Sequence, residues 1–168
     1  RNMTGLLNNA NLALDNSTVD WDVAVGQDII DDMNGLLIKV WNNSANVHIP
    51  DTLLIPSARY AQISSQRMDT GTDTTVLEFF KANNLFTSTT GQQITVKPLL
   101  ELETAGATAG QRMVAYEKLP DNLFMKQPIP WRALAPQPQG LRIEVPCEYK
   151  LSGVSWRYPG SAAYRDFI

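Results

Sequence analysis

Between residues 21 and 40, six apolar side chains (Trp21, Val25, Ile29, Met33, Leu37 and Val40) recur at intervals of three or four. Residues at that spacing share one face of an α-helix. Asp28, Asp31, Asp32 and Asn34 fall largely off the stripe. The pattern predicts one amphipathic helix over 19–41, about 30 Å long at 1.5 Å per residue. Ser17 or Thr18 can cap it, which puts Asp20 and Asp22 in its first turn, where carboxylates complement the helix dipole. Gly26 and Gly35 each weaken a helix by up to about 1 kcal/mol, so their presence points to close packing against another element. Asn42-Asn43-Ser44 stops the helix.

The rest of the chain is read around this helix. Residues 1–17 are polar and turn-rich and form an irregular leading segment. Pro50-Asp51 introduces a short buried strand, 52–56. Ser57 caps a second helix over 58–66, with Tyr60 and Ile63 on one face. A loop covers 68–73. Thr74 then opens a third helix over 76–82, with Leu77 and Phe80 inward and Asn83-Asn84 as its end. Strands follow over 93–102, 112–117 and 122–126, with a turn at Pro120-Asp121. The small-residue stretch 104–110 reads as a mobile hairpin loop. Four prolines fall between 128 and 138. That density excludes a helix or a central strand and reads as an extended crossover. Strands over 141–148 and 153–158 are expected next, joined by a hairpin turn at 149–152 and ending in a polar tail. Helices cluster before the crossover and strands after it, so the fold class is α+β rather than a doubly wound sheet, with a domain boundary at the crossover.

Composition removes several functional classes. The formal net charge is -3, and the 14 Lys and Arg form no basic block, which argues against a dedicated nucleic-acid-binding domain. No apolar run approaches the roughly 20 residues needed to span a bilayer. A single cysteine, Cys147, rules out an internal disulfide and reads as a buried, inert thiol. His48 is the only histidine, so a Ser-His-Asp site would have to use it, and no partner pattern surrounds it. Asp28 and Asp32 are i,i+4 neighbours that repel unless a cation or a basic partner compensates. A calcium site would need six or more oxygens, so no metal and no cofactor is expected, and a solvated face or a subunit contact is the reading of the Asp28/Asp31/Asp32 patch. A stand-alone ligand-binding or enzymatic domain would have to be built around His48 or Asp28/Asp32. The aromatic residues Trp131, Trp156, Tyr158 and Tyr164 lie among Arg132, Arg142, Arg157 and Arg165 and read as core and interface anchors. The chain begins at Arg1 without Met and is expected to be a piece of a longer protein.

Several segments, in order, resemble the major capsid proteins of tailed bacteriophages. Thr4-Gly5-Leu6-Leu7-Asn8 before a turn and a long helix is similar to the approach to their axial domain. Pro50-Asp51-Thr52-Leu53-Leu54-Ile55-Pro56, with a helix opening at Arg59-Tyr60, looks like their short strand and second axial helix. Val76-Leu77-Glu78-Phe79-Phe80-Lys81-Ala82-Asn83-Asn84 resembles a helix of a prophage-encoded branch. Gly153-Val154-Ser155-Trp156-Arg157-Tyr158-Pro159 and then Ala163-Tyr164-Arg165-Asp166 resemble the exit from the axial domain and the last peripheral strand. The resemblance implies a Hong Kong-97-like capsid fold: an axial domain, helices on a mixed or antiparallel sheet, over 1–138 with its leading segment, and strands returning to the peripheral domain over 139–168. The family's N-terminal arm, extended loop and spine helix have no counterpart after Arg1. The implied function is a structural, non-enzymatic shell subunit that self-assembles into pentamers and hexamers, with other capsid or scaffold proteins as further partners. Packaged DNA is met only non-specifically, and no membrane is involved. The place is the virion capsid, assembled in the host cytoplasm. An encapsulin-type compartment is the alternative. Subunit contacts are expected at Asp28, Asp31 and Asp32, facing Arg112 or Arg132 of a neighbour, with Trp156 as an anchor and 104–110 as a flexible tip.

Overall fold

A computed structural model describes residues 5–69 and 71–168. Thr4 of the expected leading turn and Thr70 of the expected 68–73 loop lie outside them. In chain order the elements are β1 (Ala13–Asn16), α1 (Gly26–Asn43), β2 (Thr52–Pro56), α2 (Ser57–Ser65), α3 (Val76–Ala82), α4 (Leu85–Thr90), β3 (Thr95–Leu99), β4 (Arg112–Tyr116), β5 (Leu123–Met125), β6 (Ile129–Ala133), β7 (Gln137–Gln139), β8 (Arg142–Glu144), β9 (Cys147–Lys150), β10 (Val154–Trp156) and β11 (Ala162–Asp166). Short 3₁₀ turns cover Leu100–Glu103, Ala107–Ala109 and Pro159–Ser161. The central sheet has the order β1-β11-β4-β2-β3. Its two outer pairs, β1 with β11 and β2 with β3, are parallel, and the inner pairs are antiparallel.

Both faces of this sheet are covered, which is why β2 and β4 are buried at every position. Alternation along the strands divides the side chains between two cores. Leu53, Ile55, Met113, Ala115 and Ala163 face the helices and pack with Trp21, Ile29, Met33, Leu37, Val40, Ile63 and Phe80. Leu54, Val114, Tyr116, Ala162 and Tyr164 face the other way and pack with Leu12, Leu102, Leu123 and Trp156. Five of the six residues in the predicted helical stripe therefore reach the core. The sixth, Val25, is 61% exposed.

The helix itself starts at Gly26, seven residues later than the stripe predicts. Local side-chain bonds take the backbone before it: the Ser17 hydroxyl accepts from the Val19 amide, and the Asp20 carboxylate accepts from the Asp22 amide. Such turns compete with helix. Trp21 reaches the core from that turn. Gly26 is needed at the helix start because a Cβ there would lie 2.9 Å from the Met68 carbonyl oxygen. Gly35 fits under the Arg165 guanidinium, whose Nη1 would be 3.0 Å from an added Cβ.

Adjacent residues on β11 carry opposite charges to opposite faces. Arg165 points to the helix side, where its Nη1 donates to the Asp32 carboxylate (2.7 Å) and its Nη2 to Asp15 on β1 (2.8 Å). The Trp21 indole donates to the other Asp32 oxygen at 2.8 Å. Asp166 points to the opposite side and accepts two bonds from Arg112, from Nε at 2.6 Å and Nη2 at 2.8 Å. Arg112 also donates to the Leu7 carbonyl and stacks on the Tyr164 ring. Thus β1, α1, β4 and β11 are tied by charged bonds at one end of the sheet.

Other expectations need correction. Asn84 does not only end α3: its side chain accepts from the Thr87 amide and caps a further helix, α4. The expected 93–102 strand stops at Leu99 and turns. The small-residue loop 104–110 is anchored, since the Ala107 amide donates to Asp166 at 2.8 Å and the Gly106 amide to the Gly110 carbonyl. The Pro-rich segment is no crossover. It forms β6 and β7, which pair back on β9 and β8 across a turn at Gly140, where φ is +64°. A two-stranded hairpin with free outer edges tolerates proline, and Pro130 sits at the irregularity in the β6–β9 register. The boundary expected between 138 and 139 falls inside β7. The turn expected at 149–152 does not join 141–148 to 153–158, because β10 pairs with β5 instead. The expected polar tail is the second strand of the central sheet.

Two stability measurements check the Arg165 network. Arg165→Met leaves Asp32 buried without its counter-charge, and breaking a buried pair in this way costs about 3–5 kcal/mol. Urea denaturation of the full-length protein is expected to show that loss, and an unchanged midpoint contradicts the assignment. The Arg165 guanidinium also holds the Asp15 carboxyl below the ordinary carboxylate range. The contribution of a carboxyl lowered in this way is complete above about pH 4 and is lost as the pH falls through its native-state value. The stability gap between wild type and Asp15→Asn should therefore be constant at neutral pH and shrink on acidification; a gap that persists in strong acid contradicts it.

Candidate subunit interface

Not one residue from 123 to 160 is buried. This stretch holds β5 to β10 and leaves the body as an arm. Its root is the β5–β10 ribbon. One face of that ribbon carries Leu123 and Trp156, cross-strand partners that pack on the body, with Trp156 edge-on to Tyr116 at 5.8 Å between centroids. The other face carries Phe124, with Lys126 and Arg157 over its ring. Beyond the root the β6–β9 and β7–β8 ladders form one long hairpin.

The hairpin is apolar in a way that water does not favour. Eight of the sixteen large exposed apolar side chains of the described residues lie between 125 and 158. Register places Ala133 opposite Cys147 on one face of the ribbon and Arg132 opposite Glu148 on the other. Alternation puts Tyr149 on the Cys147 side. Tyr149 is 61% exposed and Trp131 64%, while Leu141 beside the turn is fully exposed. Cys147 is exposed too, contrary to the expected buried thiol. Exposed apolar side chains gathered in one segment in this way suit an interaction site.

The expected contact residues separate into two groups. Asp28 and Asp31 are exposed and make no ion pair among the described residues; Asp31 accepts a bond from Gln27. Arg132 is exposed on the arm and paired with Glu148 of its own hairpin. Asp32 and Arg112, by contrast, are buried and spent on Arg165 and Asp166. The reason is periodicity: Asp32 lies one residue from Met33 on the inward side of α1, and Arg112 lies on a strand buried on both faces. Trp156 is half-buried at the arm root and anchors the arm to its own body. Sequence reasoning missed Arg165 and Asp166 as organising residues. The signal was an Arg-Asp pair directly after Ala-Ala-Tyr, in a segment whose alternation was legible.

His48 is part of a local polar cluster. Its Nδ1 lies 2.5 Å from Glu117 Oε2, and the Asn122 amide donates to the same oxygen at 2.6 Å. The ring stacks at a tilt on Tyr158, at 5.6 Å. Both sit at the wall of an open groove of about 630 Å³ that also includes Val47, Ala45 and Pro159. Among the described residues no group of three or more His, Cys, Asp and Glu could hold a metal ion. Among the described residues no helix is long and apolar enough to cross a membrane.

Three comparisons bear on this arrangement. The family model described as Major capsid protein matches residues 1–168. No curated protein sequence matches the chain. Among solved structures, the capsid of Myoviridae phage XM1 is similar with a TM-score of 0.78 and 16% identity, covering 98% of this chain and 53% of that one. A virus-like particle from Pyrococcus furiosus is similar with a TM-score of 0.60 and 15% identity, covering 94% and 57%. The chain thus spans just over half the length of the solved subunits it matches, and at such identities the likeness is one of fold. The α+β architecture is that of a phage capsid subunit. With the family match running from the first residue to the last, the chain belongs to the major capsid protein family.

Proposed function

We propose that this chain is the body and arm of a structural subunit that builds an icosahedral phage capsid around packaged DNA. The observation that carries the proposal is the match of the capsid family model over the whole chain. The physical arrangement supports it. A shell subunit needs a rigid body and an exposed surface that only a neighbour can cover. Here buried ion pairs brace the body on both sides of the sheet, while the arm leaves its aromatic residues in water.

The subunit's partners are copies of itself, arranged as pentamers and hexamers, together with other capsid or scaffold proteins, and assembly takes place in the host cytoplasm. Its role is structural rather than enzymatic. The net charge of -3 suits a shell that meets DNA only non-specifically. Of the contacts read from the sequence, Asp28, Asp31 and Arg132 remain on the surface for a neighbour. The likeness to a virus-like particle supports a second reading, a compartment shell with protein cargo.

Negative-stain microscopy of the full-length protein is expected to show icosahedral shells or capsomer rings, and monodisperse small particles contradict the proposal. Nuclease-protected DNA inside shells from infected cells favours the capsid, and a protein cargo favours the compartment. Exposed positions away from caps and cores usually change stability by no more than about 0.5 kcal/mol. Trp131→Ser with Tyr149→Ser should accordingly leave the unfolding free energy from urea denaturation unchanged, whereas Phe80→Ala in the core should lower it by about 3–5 kcal/mol. A large loss from the arm pair would mean that the arm stabilises its own body.

A further inference from the structure

The returning strand of the hairpin alternates in sequence. Over residues 142–150, Ile143, Val145, Cys147 and Tyr149 hold the odd positions, and Arg142, Glu144, Glu148 and Lys150 hold four of the five even ones. The ladders carry this division across the ribbon. Ala133 faces Cys147 and Pro138 faces Ile143 on the apolar side, while Arg132 faces Glu148 and Gln139 faces Arg142 on the polar side. Between the ladders the Leu134 amide donates to the Pro146 carbonyl at 2.8 Å, so pairing continues past β9. Such alternation is the pattern of a strand with one face on a core. Yet every residue from 131 to 145 is exposed, Ile143 at 75%. A two-stranded hairpin is marginally stable in water unless its apolar face packs on something.

The face itself limits what can cover it. Residues 142–150 make it about 30 Å long, and two strands make it about 10 Å wide. It carries no charge, so its cover must be an extended, uncharged apolar surface. The body has none among the described residues. Its exposed large apolar side chains come from separate elements, such as Leu14 on β1, Ile38 on α1 and Leu100 in a 3₁₀ turn. Scattered side chains of that kind are ordinary surface. No strand of the central sheet turns an apolar face to solvent: β2 and β4 are buried throughout, and the exposed residues of β3 are Thr95, Lys97 and Pro98. The surface that matches is the same face in a second copy.

We propose that the arms of two copies pack apolar face to apolar face, with Ile143, Val145, Cys147 and Tyr149 of each between the ribbons. This rests on the shell-subunit reading and names the surface by which copies meet. Two ribbons stacked about 10 Å apart shelter both apolar faces, and both charged faces stay in water. The same patch serves both partners, so the contact is isologous. It pairs subunits and adds a tie to the contacts that close rings. Two faces of this size reach at most the low end for a specific interface, about 1,200 Å² in all. One pair is therefore weak alone and holds where many form at once, as in a shell.

The test uses the full-length protein. Particles are assembled from ordinary and nitrogen-15-labelled subunits, with a photo-crosslinking amino acid at Val145. The expected crosslinks join one light and one heavy peptide, both from residues 129–150. Crosslinks that stay within one chain, or reach the body of a second copy, another protein or nucleic acid instead, overturn the proposal. In parallel, Ile143→Lys with Tyr149→Lys is made in one chain and Ile143→Asp with Tyr149→Asp in another. Each alone puts like charges face to face and should lower the yield of rings or shells about tenfold or more. Mixing the two in equal amounts puts opposite charges face to face and should restore most of the yield. Variants that each assemble like wild type, or a mixture as poor as its components, overturn the arm contact while leaving the shell reading intact. A wild-type protein that forms neither rings nor shells overturns both.

Discussion

Arg165 and Asp166 stand side by side on β11 and point to opposite faces of the central sheet. Each is paired on its own face, Arg165 with Asp32 and Asp15, and Asp166 with Arg112. This is a register lock. A strand that slips by one residue exchanges its faces. Slippage here would place Asp166 against two carboxylates and Arg165 against Arg112. Like charges would then be buried on both sides at once, so a one-residue slip of the last strand is incompatible with the fold. Buried ion pairs often add little net stability; specificity of pairing is what this arrangement supplies.

The lock matters because β11 joins distant parts of the chain. It pairs in parallel with β1, which comes from the leading segment, and antiparallel with β4. It also follows the arm directly. With β11 held, the arm root cannot slide, and the Leu123–Trp156 side of the ribbon keeps its seat on Tyr116. Asp166 further holds the Ala107 amide, so the small-residue loop is tied to the same strand. Rigidity therefore extends from α1 across the sheet to the base of the arm. Beyond Trp156 and Leu123 it stops, and the hairpin is held only by its own ladders. A body that is closed on both faces and an arm that is open on both faces make a unit suited to joining others of its kind.

Much of the body was legible in sequence. The helical stripe identified its core residues, because period 3.6 survives even where the backbone at Trp21 is a turn. Strand β2 stood where Pro50 and Pro56 place it, and helix α3 over its expected residues, although Thr75 and not Thr74 caps it, in a reciprocal pair with Glu78. The start of α1 was not legible, because Ser17 and Asp20 can cap a helix or close a local turn equally well, and contact of Gly26 with Met68 decides. The arm was misread for a related reason. Proline excludes a central strand, but a hairpin in solvent has no central strand, and nothing local distinguishes it from a crossover. Among the expected contact residues, Asp32 and Arg112 look as solvent-seeking in sequence as Asp28 and Arg132. Their partners lie more than fifty residues away on β11, so only the fold separates the buried pair from the exposed one.

The central claim is that the body is complete within one chain and the arm is completed by a neighbour. Amide hydrogen exchange, compared between dissociated subunits and assembled particles of the full-length protein, tests it most directly. Amides of β2, β4 and β11 should be protected in both states, while those of β6 to β9 should exchange rapidly in the free subunit and become protected on assembly. Arm amides that are equally protected before assembly, or equally open after it, would contradict the account.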